Sequence, residues 1–165
     1  MTPFLDDPDA GRALDAHQLV ALLGEAHPAA LALTDATPGP AGPVLLWCNR
    51  AFERLTGYTR RELIGGTPRL LQGPRTERQQ VRRLGLALLA GKPARVVVTN
   101  YRRGGEPYLC DIAILPLGQD PASGRPTHFL AFEREVRRRR GRPAADGSGR
   151  FDPVDPGPFL PGEPD

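Results

Sequence analysis

The stretch that decides the fold is "NRAFERLTGYTRRELIGGTPRLLQGPRT", residues 49–76. Three short segments with helical character follow one another between residues 50 and 72, and glycine or proline separates them. Because Gly and Pro interrupt helices, this stretch does not favour one long helix. It predicts a cluster of short helices, followed by a longer helix over residues 77–90 that ends at Gly91.

Segments with strand character flank this cluster on both sides. They lie at residues 29–36, 44–49, 94–103, 106–117 and 127–136. Short connections that contain glycine join the last three, which predicts antiparallel pairing of neighbours along the chain. The predicted fold class is therefore α+β: a five-stranded antiparallel sheet with a cluster of short helices on one face.

The ends of the chain differ in composition from this central part. Residues 1–12 are predicted to be a disordered lead, and residues 13–27 a flanking helix, because their apolar residues recur at helical spacing. The domain itself is predicted at 28–136. Residues 137–165 are Arg-rich and then Pro- and Gly-rich, without apolar periodicity, which predicts a disordered tail. Since no kinase, nucleotide cyclase or helix-turn-helix pattern follows the domain, we expect a stand-alone module.

Composition excludes several kinds of protein. The 22 basic and 19 acidic residues give a net charge of +3, and the arginines are scattered among the acids, so nucleic acid is not an expected partner. Cys48 and Cys110 lie in strand-like runs without metal-ligand spacing, which predicts neither a disulfide framework nor a metal site. No apolar run approaches the roughly 18 residues of a membrane span. We expect a cytoplasmic protein with no membrane partner.

The same segments resemble a known family. The stretch at 49–76, together with "NYRRGGEPYLCDIAILPL" at 100–117, resembles the PAS domain and, more closely, its flavin-binding subclass, the LOV (light-oxygen-voltage) domain. The resemblance covers roughly residues 28–136. It implies the PAS fold, a sensory role in signal transduction, and a site for FMN, with FAD and riboflavin as alternatives.

One position departs from the resemblance at its reactive centre. A LOV domain has a cysteine just before the Arg-x-Leu-Gln segment, and blue light drives its sulfur onto the flavin ring. Pro68 stands at that position and carries no nucleophile, so the cysteinyl-flavin adduct is not expected. Thr67 suits an N-cap and Pro68 suits the first helical position, so the short helix itself is expected to form.

Other positions of the implied flavin site are retained. By the resemblance, Arg69 would contact the flavin phosphate and Gln72 the ring, and their spacing places both on one side of a short helix. Asn100 would contact the ring from a strand. Asn49 and Ala131 are included among the implied cofactor contacts, and Ala131 is small enough to leave room for a ring.

Three further positions are altered. Gly85 stands where the resemblance expects a second phosphate-binding arginine, which makes the nearby Arg82 and Arg83 candidates to replace it. Losing one such contact weakens phosphate binding by about 1–3 kcal/mol. Cys110 replaces an asparagine that contacts flavin, and Glu133 replaces a glutamine that reports the state of the ring.

Strand alternation predicts where these altered side chains point. Because Asp111 is expected to face water, alternation places Cys110, Ile112 and Ile114 inward. An ionised carboxylate only accepts hydrogen bonds, so beside an oxidised flavin Glu133 must be protonated, solvated or turned away. The alternative for Glu133 is a surface residue on an edge strand.

Three functions follow from these patterns. The altered positions favour a protein-interaction module that has lost its cofactor, pairs with an unknown protein, and forms a homodimer through the flanking helix or a sheet face. The retained positions favour a photo- or redox sensor with non-covalent flavin. It would work by electron transfer from Trp47, Tyr58, Tyr101 or Tyr108 and by a change in protonation of the ring that Glu133 senses. An enzyme is not expected, because no group orients any of the three histidines as a catalytic base.

Overall fold

The computed structural model describes residues 14–141 and 150–161. In chain order its elements are α1 Ala16–Gly24, β1 Ala30–Asp35, β2 Leu45–Cys48, α2 Arg50–Thr56, α3 Arg60–Leu63, α4 Arg78–Leu89, β3 Ala94–Tyr101, β4 Pro107–Leu117, β5 His128–Arg138 and β6 Phe151–Pro153. Short 3-10 helices occupy Gly39–Ala41 and Pro68–Leu71. None of the helices in the described ranges is long and apolar enough to cross a membrane. The disordered lead predicted at 1–12 lies outside those ranges.

The strands form one antiparallel sheet in the order β2-β1-β5-β4-β3. Strands β3, β4 and β5 pair with their neighbours along the chain. Strand β1 pairs with β2 on one side and with β5 on the other. This confirms the predicted α+β class and the antiparallel sheet with its five predicted strands, to which the structure adds a sixth, β6, paired with β5. Strand β5 therefore lies at the centre of the sheet, between β1 and β4.

The inner face of the sheet packs against the short helices. Phe52 of α2, Leu63 of α3 and Leu71 of the Pro68–Leu71 helix are each almost fully buried in this core. From the sheet, alternation brings Cys110, Ile112 and Ile114 to the same face, as predicted. The cluster of short helices thus covers the inner face of the sheet and completes the inner core.

The outer face of the sheet is covered in two places. Asp15 is the N-cap of helix α1, and its side chain and that of Gln18 form a reciprocal capping box. Val20 and Ala21 of this helix pack against a cluster of buried apolar residues on the outer face, which includes Leu31, Leu33 and Trp47. A Cβ added to Gly24 would lie 2.8 Å from the ring of Trp47. The flanking helix therefore lies close against the outer sheet face.

The structure departs from the predicted disordered tail over residues 150–161. Strand β6 pairs antiparallel with the end of β5, from Val136 to Arg138. Beyond it, Phe159 is 2% exposed and stacks edge-on against Phe132, with ring centroids 6.4 Å apart. The segment has little apolar periodicity of its own, but one aromatic side chain is enough to anchor it on a surface that other strands have built.

The expectation that Asp111 faces water is also wrong. Asp111 lies on the outer face, as alternation requires, but it is only 4% exposed. Its carboxylate pairs with Arg95 at 2.8 Å and with Arg134 at 3.2 Å. The Arg134 guanidinium in turn lies 4.0 Å from the centre of the Phe159 ring. The C-terminal segment thus covers a face that alternation alone assigns to solvent.

Candidate functional site

A recess opens between the inner face of the sheet and the helices that cover it. Its inner part is a cavity of about 180 Å³. Apolar side chains make most of its wall, among them Ala32, Leu45, Phe52, Leu71, Val81, Leu84, Val98, Ile112, Ile114 and Phe129. Polar side chains reach the same wall at a few points: Thr34, Arg69, Gln72, Asn100 and Glu133. An apolar cavity with a few converging polar groups is the usual form of a small-molecule site.

The cavity continues into a wider groove at the surface, here called the mouth groove. This groove has a volume of about 520 Å³. The residues that line both spaces are Gly42, Pro43, Arg69, Gly85, Leu88 and Phe129. Because the two spaces share these walls, they lie next to each other, and together they are called the recess.

Local sequence keeps the helices beside the recess short. Helix α2 ends where Gly57 adopts a left-handed conformation with φ of 75°. Helix α3 begins at Thr59, which forms a capping box with Glu62. In the next helix Pro68 occupies the first position, as predicted, although the Thr67 side chain makes no capping hydrogen bond. The chain therefore forms three short helices between Arg50 and Leu71 instead of one long helix.

The Pro68–Leu71 helix brings three predicted positions to the recess. The Pro68 ring lines the cavity, at the position where the resemblance expects the thiol. Arg69 donates to the carbonyl oxygens of Pro40 at 2.8 Å and Gly39 at 3.1 Å, across the mouth. Gln72 also lines the cavity, and its side chain makes no hydrogen bond to any residue that the structure describes.

Glu133 lies at the centre of the sheet, so the edge-strand alternative is wrong. It is 6% exposed on β5, and its side chain lines the cavity. Burial raises the pKa of Glu133 to about 7, although a hydrogen bond with the Cys110 thiol opposes the rise. The carboxyl group is therefore partly protonated near neutral pH, and it then offers an O–H donor to the cavity.

The other predicted strand positions differ in their access to the cavity. Asn100 and Ala131 both line it. Cys110 is fully buried behind Glu133 and is not among the lining residues that the structure describes. Burial, and next the charge of Glu133, raise the pKa of the Cys110 thiol well above its ordinary value. A thiol in this environment stays protonated and is a poor nucleophile.

Asn49 is not part of the recess, which corrects its assignment to the cofactor contacts. It is completely buried at the start of α2. Its Oδ1 accepts from the backbone N–H groups of Leu31 and Phe52, and its Nδ2 donates to the carbonyl oxygens of Gly24 and Ala29. Asn49 therefore joins α1, β1 and α2 through hydrogen bonds to their backbone groups.

Arg82 and Arg83 also lie away from the recess. Helix α4 turns a different set of residues toward it: Val81, Leu84, Gly85 and Leu88. Both arginines are exposed, and Arg83 lines a separate groove together with Glu77 and Arg95. The apolar residues of this set recur at helical spacing, which gives α4 an apolar side, but only the fold shows that this side lines the recess.

Sequence reasoning missed one charged residue of the site. Arg125, in the loop between β4 and β5, lines the mouth groove. Its Nη2 donates to the carbonyl oxygen of Leu89 at 2.7 Å, at the end of α4. Arg125 lies more than 50 residues from Arg69 in the chain, and no local pattern links the two. Only the folded sheet brings its loop to the mouth.

Known proteins provide the comparison. The family model described as "PAS domain" matches residues 36–138. The blue-light-activated histidine kinase of Brucella anthropi is 34% identical over 97 residues, which cover 59% of this chain and 19% of that protein. Protein TWIN LOV 1 of Arabidopsis thaliana is 30% identical over 123 residues, 71% of this chain and 30% of that protein. A solved LOV domain, from a blue-light activated histidine kinase of Erythrobacter litoralis, has a TM-score of 0.59 and 30% identity, covering 66% of this chain and 95% of that one.

These matches agree in kind. The family model covers well over half of the chain, whereas the chain spans only 16% to 30% of the length of the first curated relatives. The relatives and the solved structure include LOV proteins and sensory kinases, so the fold and the sensory, LOV-like character inferred from the resemblance are confirmed. The chain belongs to the PAS domain family.

Proposed function

We propose that this protein is a sensory domain that binds a flavin without a covalent bond and passes its signal to other proteins by contact. The observation that carries the proposal is the position of Glu133. This carboxyl group is buried in the wall of an apolar cavity, and its side chain bonds only to the thiol of Cys110 in the described structure, at 3.4 Å. A buried carboxyl group with so weak a partner is costly unless a ligand completes its hydrogen bonding.

The recess fits a flavin in shape. The cavity of about 180 Å³ is smaller than the usual range of about 300–1,000 Å³ for small-molecule sites, but the mouth groove of about 520 Å³ lies within it. A flat ring would enter the cavity, where small residues such as Ala32, Ala131 and Gly85 leave room, and the flexible tail would lie in the mouth groove.

The donors and acceptors at the cavity wall also suit a flavin ring. Gln72 and Asn100 each offer an amide, which both donates and accepts, and protonated Glu133 offers an O–H donor. A bound flavin would supply blue-light absorption and one-electron chemistry. Of the four predicted aromatic donors, only Tyr108 is buried in the inner core; Tyr58 packs against that core but is partly exposed, and Trp47 packs on the outer face. We therefore favour Tyr108 as the electron donor.

The absence of a nucleophile supports a non-covalent mechanism. Pro68 lines the cavity where the LOV resemblance expects the thiol. Cys48 and Cys110 are both free and buried, and burial raises the pKa of Cys48 to about 11. Neither cysteine lines the cavity in the described part of the chain. A light response without a cysteinyl adduct is therefore the mechanism we propose.

An absorption experiment tests flavin binding. The purified protein is examined as isolated and after refolding with FMN, FAD or riboflavin, and we expect the structured visible bands of a bound flavin. Gly85→Phe is the cavity-filling variant, because a side chain at Gly85 would enter open space within the recess. Arg83→Phe, on another side of the same helix, is the matched control.

The outcomes separate cleanly. Binding by wild type and Arg83→Phe but not by Gly85→Phe supports the proposal. A flat visible spectrum for wild type after refolding with all three flavins would refute it.

A second candidate function, an interaction module that needs no cofactor, is favoured by the surface of α1. Leu22 and Leu23 are 69% and 68% exposed on this short helix. We propose that they form the contact of a homodimer, or of an unknown protein partner, beside the covered sheet face. Replacing both by Gln should weaken self-association about tenfold or more in sedimentation equilibrium. Leu86→Gln, at an exposed leucine of α4, is the control. A monomeric wild type would contradict the dimer.

The two free cysteines fit a reducing, cytoplasmic location, which we also propose.

A further inference from the structure

The mouth groove contains positive charge that its surroundings do not neutralise. Arg69 reaches it from the Pro68–Leu71 helix, and Arg125 reaches it from the loop between β4 and β5. Among the residues that the structure describes, no Asp or Glu lines this groove. Two guanidinium groups in one groove without a carboxylate create a positive potential, which attracts an anionic ligand group.

Arg125 is held in place by its own loop. The loop closes through backbone hydrogen bonds from Asp120 N–H to the Arg125 carbonyl, at 2.8 Å, and from Gly124 N–H to the Asp120 carbonyl, at 2.7 Å. The next residue, Pro126, packs closely on Gly91: a Cβ added to Gly91 would lie 3.0 Å from the Pro126 ring. The loop thus rests against the end of α4, and the Arg125 side chain is positioned before any ligand binds.

The Arg125 guanidinium covers the C-terminal end of α4. One of its N–H groups bonds the Leu89 carbonyl oxygen, and a guanidinium has about five N–H donors in all, so others remain for a ligand. The end of a helix carries partial negative charge, which repels an anion. Because Arg125 covers this charge, an anion can lie in the mouth groove beside the helix end without that repulsion.

The same geometry explains how the domain tolerates glycine at position 85. Leu89 follows Gly85 by one helical turn. The Arg125 side chain therefore contacts α4 one turn beyond Gly85, the position where the resemblance expects an arginine. Arg82 and Arg83, on the helix itself, are turned away from the recess. A loop arginine therefore supplies the charge that the helix lacks.

We propose that Arg125 and Arg69 together form an anion site that holds the phosphate group of the flavin tail, and that this site makes the domain prefer FMN to riboflavin. The inference rests on the flavin-binding function proposed above. FAD carries phosphate at the same distance from its ring, so the site also accepts FAD where the open end of the groove admits the rest of its tail.

The test compares dissociation constants for FMN, FAD and riboflavin, measured by fluorescence quenching on the full chain. The variants are Arg125→Ala, Arg69→Ala and the double control Arg82→Ala/Arg83→Ala. Wild type should bind FMN about tenfold or more tightly than riboflavin. Arg125→Ala should weaken FMN about tenfold and leave riboflavin within about twofold, whereas the control should change neither. Since Arg125 is an exposed loop residue, the variant should fold normally.

The results distinguish this inference from the function on which it rests. If no flavin binds wild type, both fall. If flavin binds but Arg125→Ala leaves the ratio of FMN to riboflavin affinity unchanged, the anion site is refuted and the flavin-binding function stands. If the control variant lowers that ratio instead, the phosphate is bound from α4 and the assignment of Arg125 is wrong.

Discussion

The Sγ of Cys110 lies 3.4 Å from Oε2 of Glu133, and both side chains are buried between the sheet and its helices. The two residues belong to neighbouring strands, β4 and β5, and face the same side of the sheet. A thiol is a weak hydrogen-bond donor, so it compensates little of the cost of burying a carboxylate. The charge state of Glu133 therefore affects both the stability of the domain and what its cavity can bind.

Stability should depend on pH through Glu133. Its pKa rises from an ordinary 4.5 to about 7 on folding, so the folded state binds the proton more tightly than the unfolded chain. Protonated Glu133 makes its full contribution to the free energy of unfolding below pH of about 4.5. As pH rises from there to about 7, the free energy of unfolding falls by about 3 kcal/mol. Glu133→Gln should remove this loss and be more stable than wild type at pH of about 8, as measured by urea unfolding across this range.

Glu135→Gln is the control for this prediction. Glu135 lies two residues further along β5, is partly exposed, and pairs with Arg102 at 2.6 Å. Its replacement should not flatten the pH profile in the same way. Parallel stability profiles for wild type and Glu133→Gln between pH of about 5 and 8 would show that Glu133 does not titrate as described.

Restoring a thiol at position 68 should restore adduct chemistry. In flavin-loaded wild type, blue light should produce no thiol adduct. In Pro68→Cys, illumination should remove the visible flavin bands, and they should return in the dark. Pro68→Ala, which also lacks the ring but has no sulfur, should behave like wild type. A dark-reversible loss of the visible bands in wild type, blocked by alkylating its cysteines, would contradict the adduct-free mechanism.

The Asp111 carboxylate should be needed for the outer face. Asp111→Ala removes the buried carboxylate that pairs with both Arg95 and Arg134. Because both arginines retain some contact with solvent, we expect a loss of about 2–4 kcal/mol of unfolding free energy in urea. Glu106→Ala removes an exposed ion pair with Arg102 and should cost less than about 0.5 kcal/mol. Equal stabilities of the two variants would contradict this account.

Phe159 should anchor the C-terminal segment. Its ring packs against Phe132 and under the guanidinium of Arg134. Phe159→Ala should cost about 2–3 kcal/mol and increase hydrogen exchange at the Val154 amide, which bonds the Glu135 carbonyl. Val154→Ala, at a side chain 47% exposed, should cost little. Unchanged exchange in Phe159→Ala would mean that β6 holds the segment without the ring.

Local chemistry explains the correct predictions. The strands alternate in polarity, so Cys110, Ile112 and Ile114 were assigned correctly to one face. The spacing of Arg69 and Gln72 depends only on the short helix and its C-cap, and both residues line the recess, while their contact with a flavin stays a prediction. In each case the deciding distance lies within a few residues of the chain.

The wrong predictions have a common origin in contacts between distant segments. Asp111 is buried because residues from the C-terminal segment cover it, and no pattern within β4 reports that cover. Asn49 looked like a binding residue, but its amide is satisfied by the backbone of α1 and β1. Whether a polar side chain contacts solvent, ligand or backbone depends on what packs against it.

The sequence by itself determined the α+β class, the order of its elements, the break at Pro68 and the family, because periodicity and turn residues act over a few positions. Tertiary structure alone decided that Glu133 lies on the central strand, that α4 turns Arg82 and Arg83 away, and that Arg125 joins Arg69 at the mouth. These outcomes depend on how strands pair and helices rotate, which sums weak contacts across the whole chain.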